Sequence, residues 1–398
     1  MPLLLAALLF VVDGHADTPQ FLLDLETDLT ASTEQMVDLP KARQGHLGGE
    51  FFSIWVDPEV YAAHPARRAL DLIDAVRTQV ERNPRELTLA VTAAQVEAAQ
   101  KAGKLAVLMG LEGGHPLEGD LRMLRNFHRL GVRYMTLTWS NTNELGDSSG
   151  DLEKPGVKHH GGLTALGRQA VEEMNRLGML VDISHVADKT FFDAVEISRA
   201  PVIASHSSCR ALTNHPRNMT DEMLRAVAKN GGVVMVNFFS GFVDEDFRKA
   251  FEALRPEEDK AIEAVNQKYK DDVKARTQAW FEVGRQFAAR VPRPKLKSLI
   301  DHIEHVARVA GVEHAGIGSD FDGIPSLPEG IDSAADLPKI AVELRKRGFS
   351  QAEVAKIFSG NILRVMRQAE AVARAQSASV RSDDPARSGR LKPAGVNQ

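Results

Sequence analysis

The sequence predicts a single-domain α/β fold, a (β/α)8 barrel of the TIM type, on three observations. Eight short apolar runs recur along the chain, each followed by a segment of helical character. No strong linker separates them. Polar residues able to bind metal stand at the carboxyl ends of these runs throughout the chain, and a closed barrel gathers such ends at one mouth. Periodicity alone also leaves a doubly wound open sheet available; the spread of polar strand ends favours closure. With 398 residues, 43% hydrophobic and 26% charged, the chain can bury a large core and is neither disordered nor collagenous.

The first run, residues 3–12, leads into Asp13-Gly14-His15-Ala16-Asp17. It has the apolar character of a leader peptide but no preceding Lys or Arg, and it runs directly into potential ligands, so it is expected to be the first strand with its approach. The protein is accordingly expected in the cytoplasm by default, and exported if the gene start is truncated. Residues 51–56 form the second run and 105–111 the third, which stops at Glu112-Gly113-Gly114-His115. Between them, Leu70, Ile73, Val76 and Val80 mark a helix over 66–82, and another is expected over 92–101.

A helix over 117–130, ended by Gly131, precedes the fourth run at 132–138, which ends at Trp139-Ser140-Asn141. Residues 142–162 are polar, Gly-rich and aperiodic, the character of a functional lid. The fifth and sixth runs, 179–183 and 201–204, end at Ser184-His185 and Ser205-His206; 233–238 and 315–319 complete the set, the last before Asp320-Phe321-Asp322-Gly323. Residues 244–297 are a charged, helix-forming insertion before the last strand, expected to be solvated. Closing helices over 334–347 and 351–369 bring the barrel to about residue 370, and the Ser-, Arg- and Pro-rich tail of 371–398 is expected to be disordered.

A net charge of -5 gives no electrostatic basis for binding nucleic acid, and no run is long and apolar enough to cross a membrane as a helix. A small molecule or peptide is the expected partner. Cys209 is the only cysteine, so any metal must be held by His and carboxylates. The strand ends supply His15, Asp17, Glu112, His185, His206 and Asp320. That is more than one zinc requires. His15 with Asp17 can hold one divalent ion, His185 with His206 a second, and Glu112 can bridge ions about 3.5 to 4 Å apart. Such a pair yields hydroxide near neutral pH and polarises a carbonyl, so hydrolysis of an amide-like bond is expected, with Asp320 carrying the proton.

The stretches DGHAD, GLEGGH, DISH, ASHSS and GSDFDG, in this order, resemble the membrane (renal) dipeptidase family, peptidase family M19, of the amidohydrolase superfamily. The resemblance runs from about Val11 to Met366. It implies a barrel with two zinc ions and hydrolysis of dipeptides, including those with a C-terminal D-residue, and it points to a homodimer. It also implies that His15, Asp17, Glu112, His185 and His206 are the metal ligands, that Asp320 is the proton carrier, and that Arg217 of His215-Pro216-Arg217-Asn218 holds the substrate carboxylate through its guanidinium fork.

One position departs from the pattern. Mammalian members carry a His after the fourth strand that contacts the scissile carbonyl oxygen, and here Trp139 stands in its place. The indole offers a single neutral donor, so the oxyanion must be met by the metals or by a neighbour among Asn141, Asn143, His159 and His160. Two other readings stay open at this point: an amidohydrolase acting on N-acyl amino acids or other small amides, and a catalytically silent metal- or peptide-binding protein.

Overall fold

The computed structural model describes residues 9–382. Nine parallel strands make one sheet: β1 (Val11–Ala16), β2 (Leu47–Trp55), β3 (Leu87–Leu89), β4 (Leu105–Glu112), β5 (Val132–Thr136), β6 (Leu180–Asp182), β7 (Ile203–Ala204), β8 (Val233–Val236) and β9 (Ala315–Ile317). Because β1 pairs with both β2 and β9, and β2 also pairs with β4, eight of them close into a barrel. β3 lies outside that ring, pairing with the start of β4 at Leu87↔Leu105. The sequence pattern missed it because three residues show no period.

Fully buried side chains of alternate residues, among them Val12, Phe51, Leu108, Tyr134 and Met235, pack with Ile362, Leu363, Val365 and Met366 of the final helix. Asn361 at its start donates to the carbonyls of Val312 and Ala315, which fixes the helix at the amino end of β9. The opposite, carboxyl end is left for the site. A Cβ on Gly110 would lie 1.9 Å from the Tyr134 ring, so only glycine lets that ring cross β4 toward the mouth.

Three expectations change. The first strand runs on to Ala16, so His15 lies within it rather than after it, and residues 3–8 of the expected strand and its approach fall outside the described residues. The final helix continues to Ser382, so disorder from residue 371 does not hold up to that point; residues 383–398 of the expected tail lie outside the described residues. The insertion is more than a solvated appendage. Its helices Glu245–Glu252, Arg255–Lys268 and Val273–Ala288 reach over the mouth. There Phe281 packs on Phe21 with ring centroids 4.4 Å apart, and Thr277 donates to Asp24 at 2.9 Å.

Candidate metal centre

At the carboxyl ends of the strands, His15, Asp17, Glu112, His185, His206 and Asp320 converge, all of them buried. Glu112 is central. Its Oε1 lies 3.0 Å from His185 Nε2 and 3.6 Å from His206 Nε2, while its Oε2 lies 3.3 Å from His15 Nε2 and accepts from Ser53 Oγ at 2.9 Å. Asp17 Oδ2 is 3.5 Å from His15 Nε2. Two overlapping groups, His15-Glu112-His206 and His15-Asp17-Asp320, bring ligand atoms close enough to surround an ion.

The backbone is bent to achieve this. His185, Asp320 and Asp322 adopt left-handed φ values of 66°, 63° and 65°, which cost non-glycine residues about 1 kcal/mol each. Gly323 is needed beside them, because a Cβ there would sit 2.0 Å from Asp17 Oδ2.

Hydrogen bonds behind these side chains aim their lone pairs. Thr136 Oγ1 and Ser205 Oγ both donate to Asp182 Oδ2 at 2.6 Å, so Ser205 Oγ is left to accept from His206 Nδ1 at 2.7 Å. That tautomer turns the bare Nε2 of His206 toward Glu112. Tyr134 Oη lies 2.7 Å from His15 Nδ1. Asp182, Ser205, Tyr134 and Ser53 were not singled out from the sequence. The only signal for them was a polar or hydroxyl-bearing side chain inside an apolar strand or, for Ser205, directly after one.

The protein's own charges favour a cation here. Burial opposes ionisation of Glu112, but His15 and His185 outweigh it and hold the carboxyl well below its ordinary range. Burial likewise opposes protonation of His15, yet Tyr134 and Glu112 lift the imidazole well above its usual value. Burial and the Arg217 charge push His185 down to about 3, and burial, His15 and Arg217 push His206 well below normal. Burial raises Asp17, with Glu112 adding to it. Asp320 is raised to about 7, by burial first and then by Asp17 and Glu112 against the opposing pull of His15 and Asn237.

His15 Nε2 and Asp17 Oδ1 are buried without hydrogen-bond partners, and the Nε2 atoms of His185 and His206 face each other at 2.9 Å. Divalent ions would satisfy these four atoms, though no single ion is close enough to all of them. Imidazole nitrogens with carboxylate oxygens are the donor set zinc takes.

The centre opens into a cavity of about 960 Å³ between the barrel mouth and the insertion helices. Arg217 lines it, 7% exposed, anchored by bonds to Ser207 Oγ at 3.1 Å and the His206 carbonyl at 3.0 Å, with its Nε unpartnered. Trp139 also lines it, 6.2 Å from the His185 ring and 5.1 Å from Trp55. Asn141, Asn143, His159 and His160 are not among the lining residues. The loop that carries them is pinned inward: Asp147 accepts the backbone N–H groups of His160, Gly161 and Gly162, and His160 Nε2 meets the Asn143 carbonyl at 3.0 Å. It forms a fixed wall, and the side chains it presents to the cavity are Ser140 and Ser149.

A closed barrel with buried His and carboxylate side chains able to hold a metal at its carboxyl end is the architecture of a metal-dependent hydrolase of the TIM-barrel class. Residues 4–380 match the family described as Membrane dipeptidase (Peptidase family M19), and the chain belongs to that family, which makes it a dipeptidase of the metallopeptidase type. It is 34% identical over 382 residues to Dipeptidase verJ of Clonostachys rogersoniana, covering 91% of this chain and 84% of that one. It is 32% identical over 368 residues to Dipeptidase 3 of Rattus norvegicus, covering 91% of this chain and 65% of the relative. Among solved structures, the probable dipeptidase PvdM from Pseudomonas aeruginosa shares the fold, with a TM-score of 0.79 and 24% identity over 93% of this chain and 97% of that one. A metallo peptidase from Rhodobacter sphaeroides, liganded with a phosphinate mimic of L-Ala-D-Ala, superposes with a TM-score of 0.73 and 26% identity, covering 91% of this chain and 99% of that one.

Proposed function

We propose that this protein is a zinc-dependent dipeptidase whose site holds two ions, one on His15 and Asp17, one on His185 and His206, with Glu112 shared between them. The observation that carries the reading is Glu112, whose two oxygens face His15 on one side and His185 with His206 on the other. Bound divalent ions supply a water acidified to hydroxide near neutral pH and a Lewis acid for the scissile carbonyl.

The remaining chemistry belongs to the chain. Arg217, buried and free of any carboxylate partner among the described residues, receives the C-terminal carboxylate of the substrate and so selects short, free-ended peptides. Asp320 Oδ2 is oriented by Asn237 Nδ2 at 2.8 Å, takes the proton of the attacking water and returns it to the leaving amine. The Trp139 and Trp55 rings exclude water beside His185, and Trp139 offers no charged donor to the oxyanion. Loss of such a donor costs about 10² to 10³ in rate and affects substrate preference before reaction class. Recognition of a C-terminal D-residue is supported by the L-Ala-D-Ala mimic held by the Rhodobacter sphaeroides relative. A homodimer is proposed on the family resemblance alone.

Assaying Gly-D-Ala, an L,L-dipeptide and an N-acyl amino acid with metal-loaded protein separates the readings. Both dipeptides are expected to be cleaved, the N-acyl amino acid poorly. Arg217→Met should raise KM for Gly-D-Ala by about 10² or more with unchanged metal content. Preferential cleavage of the N-acyl amino acid would replace this reading with the broader amidohydrolase one.

A further inference from the structure

The cavity extends well beyond the metal-ligand groups, and its wall carries a second buried arginine that, like Arg217, has no carboxylate partner among the described residues. Arg276 lies on the insertion helix Val273–Ala288, is 8% exposed, lines the cavity and has a buried Nε without a hydrogen-bond partner. Its other contacts are neutral: the Lys270 carbonyl at 3.3 Å, the Trp280 ring at 5.7 Å and the hydroxyl of Tyr61. Other arginines of the same wall are matched. Arg248 pairs with Glu245 and Glu252, Arg255 with Glu258, and Arg285 with Glu282.

Near Arg276 the one carboxylate anchored in the barrel helix, Asp24, is already committed. It takes both guanidinium nitrogens of Arg68 at 2.6 and 2.7 Å and the Thr277 hydroxyl at 2.9 Å. Two guanidiniums and one carboxylate leave a positive charge in excess in a buried wall. A buried cation without a counter-charge is costly, and a wall that keeps one is arranged to receive an anion.

We propose that Arg276, with the Tyr61 hydroxyl, is a specificity residue that receives an anionic side chain on the N-terminal residue of the dipeptide. The inference rests on the dipeptidase reading and on Arg217 as the seat of the terminal carboxylate. Position decides which end of the substrate is involved. Arg217 stands after β7, whereas Arg276 docks over the helix Thr18–Asp24 that follows β1 and beside Tyr61, which follows β2, four strands from β7 and so on the opposite side of the eight-stranded ring. A peptide with its carboxylate on Arg217 and its scissile carbonyl at the ligands therefore directs its N-terminal residue toward Arg276. A neutral residue there leaves the guanidinium desolvated without a counter-charge and a cationic one is repelled, so the wall discriminates against both.

Two matched substrate pairs test this with the metal-loaded enzyme: Glu-D-Ala against Gln-D-Ala, and the longer Nε-succinyl-Lys-D-Ala against Nε-acetyl-Lys-D-Ala. In at least one pair the acidic member is expected to show kcat/KM about 10- to 100-fold higher, expressed in KM. Arg276→Met should bring that ratio to about one, and Arg276→Lys should restore part of it. Equal kcat/KM within both pairs, or an Arg276→Met ratio equal to that of the wild type, would overturn the proposal. Calorimetric dissociation constants for phosphinate analogues of the same four peptides give a readout independent of turnover. Turnover without charge selectivity overturns the role of Arg276 alone; selective binding without turnover overturns the hydrolytic reading alone.

Discussion

Glu112→Gln is expected to lower kcat/KM for dipeptides by about 10⁴ or more and to leave at most one tightly held ion per chain. The amide matches the carboxylate in size, so it preserves packing and isolates the charge. It removes the carboxylate that faces both His15 and the His185–His206 pair, and it places an N–H donor where one of those sides needs an acceptor. The bond from Ser53 survives through the amide oxygen, so folding should be retained. Metal analysis by mass spectrometry, run beside circular dichroism, checks this. A folded variant with wild-type metal content and turnover would remove Glu112 from the centre of the account.

For Asp320→Asn, kcat should fall by about 10² to 10⁴ with metal content unchanged. The substituted amide can still accept the Asn237 bond through its oxygen, so geometry is kept and proton transfer is lost. A pH profile sharpens the prediction. The Asp320 carboxyl is raised to about 7 by burial, Asp17 and Glu112, and it can accept a proton only once it has lost its own. Wild-type kcat/KM should therefore rise with pH along an acid limb governed by this group, drawn below about 7 by neighbouring cations, and the variant should lose that limb. Since Asp320 also falls in a possible ligand group with His15 and Asp17, metal content that dropped in step with activity would make it a ligand instead.

What the sequence made legible was local. His15, Asp17, Glu112, His185, His206 and Asp320 follow or close apolar strands, and in a closed barrel that placement alone brings them together. Roles that depend on a neighbouring strand were not legible. Asp182 is set by Thr136 and Ser205 from flanking strands, and Tyr134 reaches His15 only because Gly110 lies beneath its ring. The loop after Trp139 read as a functional lid because it lacks periodicity, yet the Asp147 carboxylate, bonded to backbone N–H groups more than ten residues away, makes it a wall. The insertion looked solvated because its outer face is charged. Its inner face carries Thr277 and Phe281, whose partners Asp24 and Phe21 lie about 250 residues earlier.

Titrating zinc into chelator-stripped protein, with bound metal and Gly-D-Ala hydrolysis followed in the same samples, tests the central claim most directly. The account predicts saturation at two ions per chain, tighter at higher pH because zinc must displace the proton that His15 holds, with hydrolysis appearing as the second ion binds. Saturation at one ion with full activity, or two bound ions with no hydrolysis of any dipeptide, would contradict it.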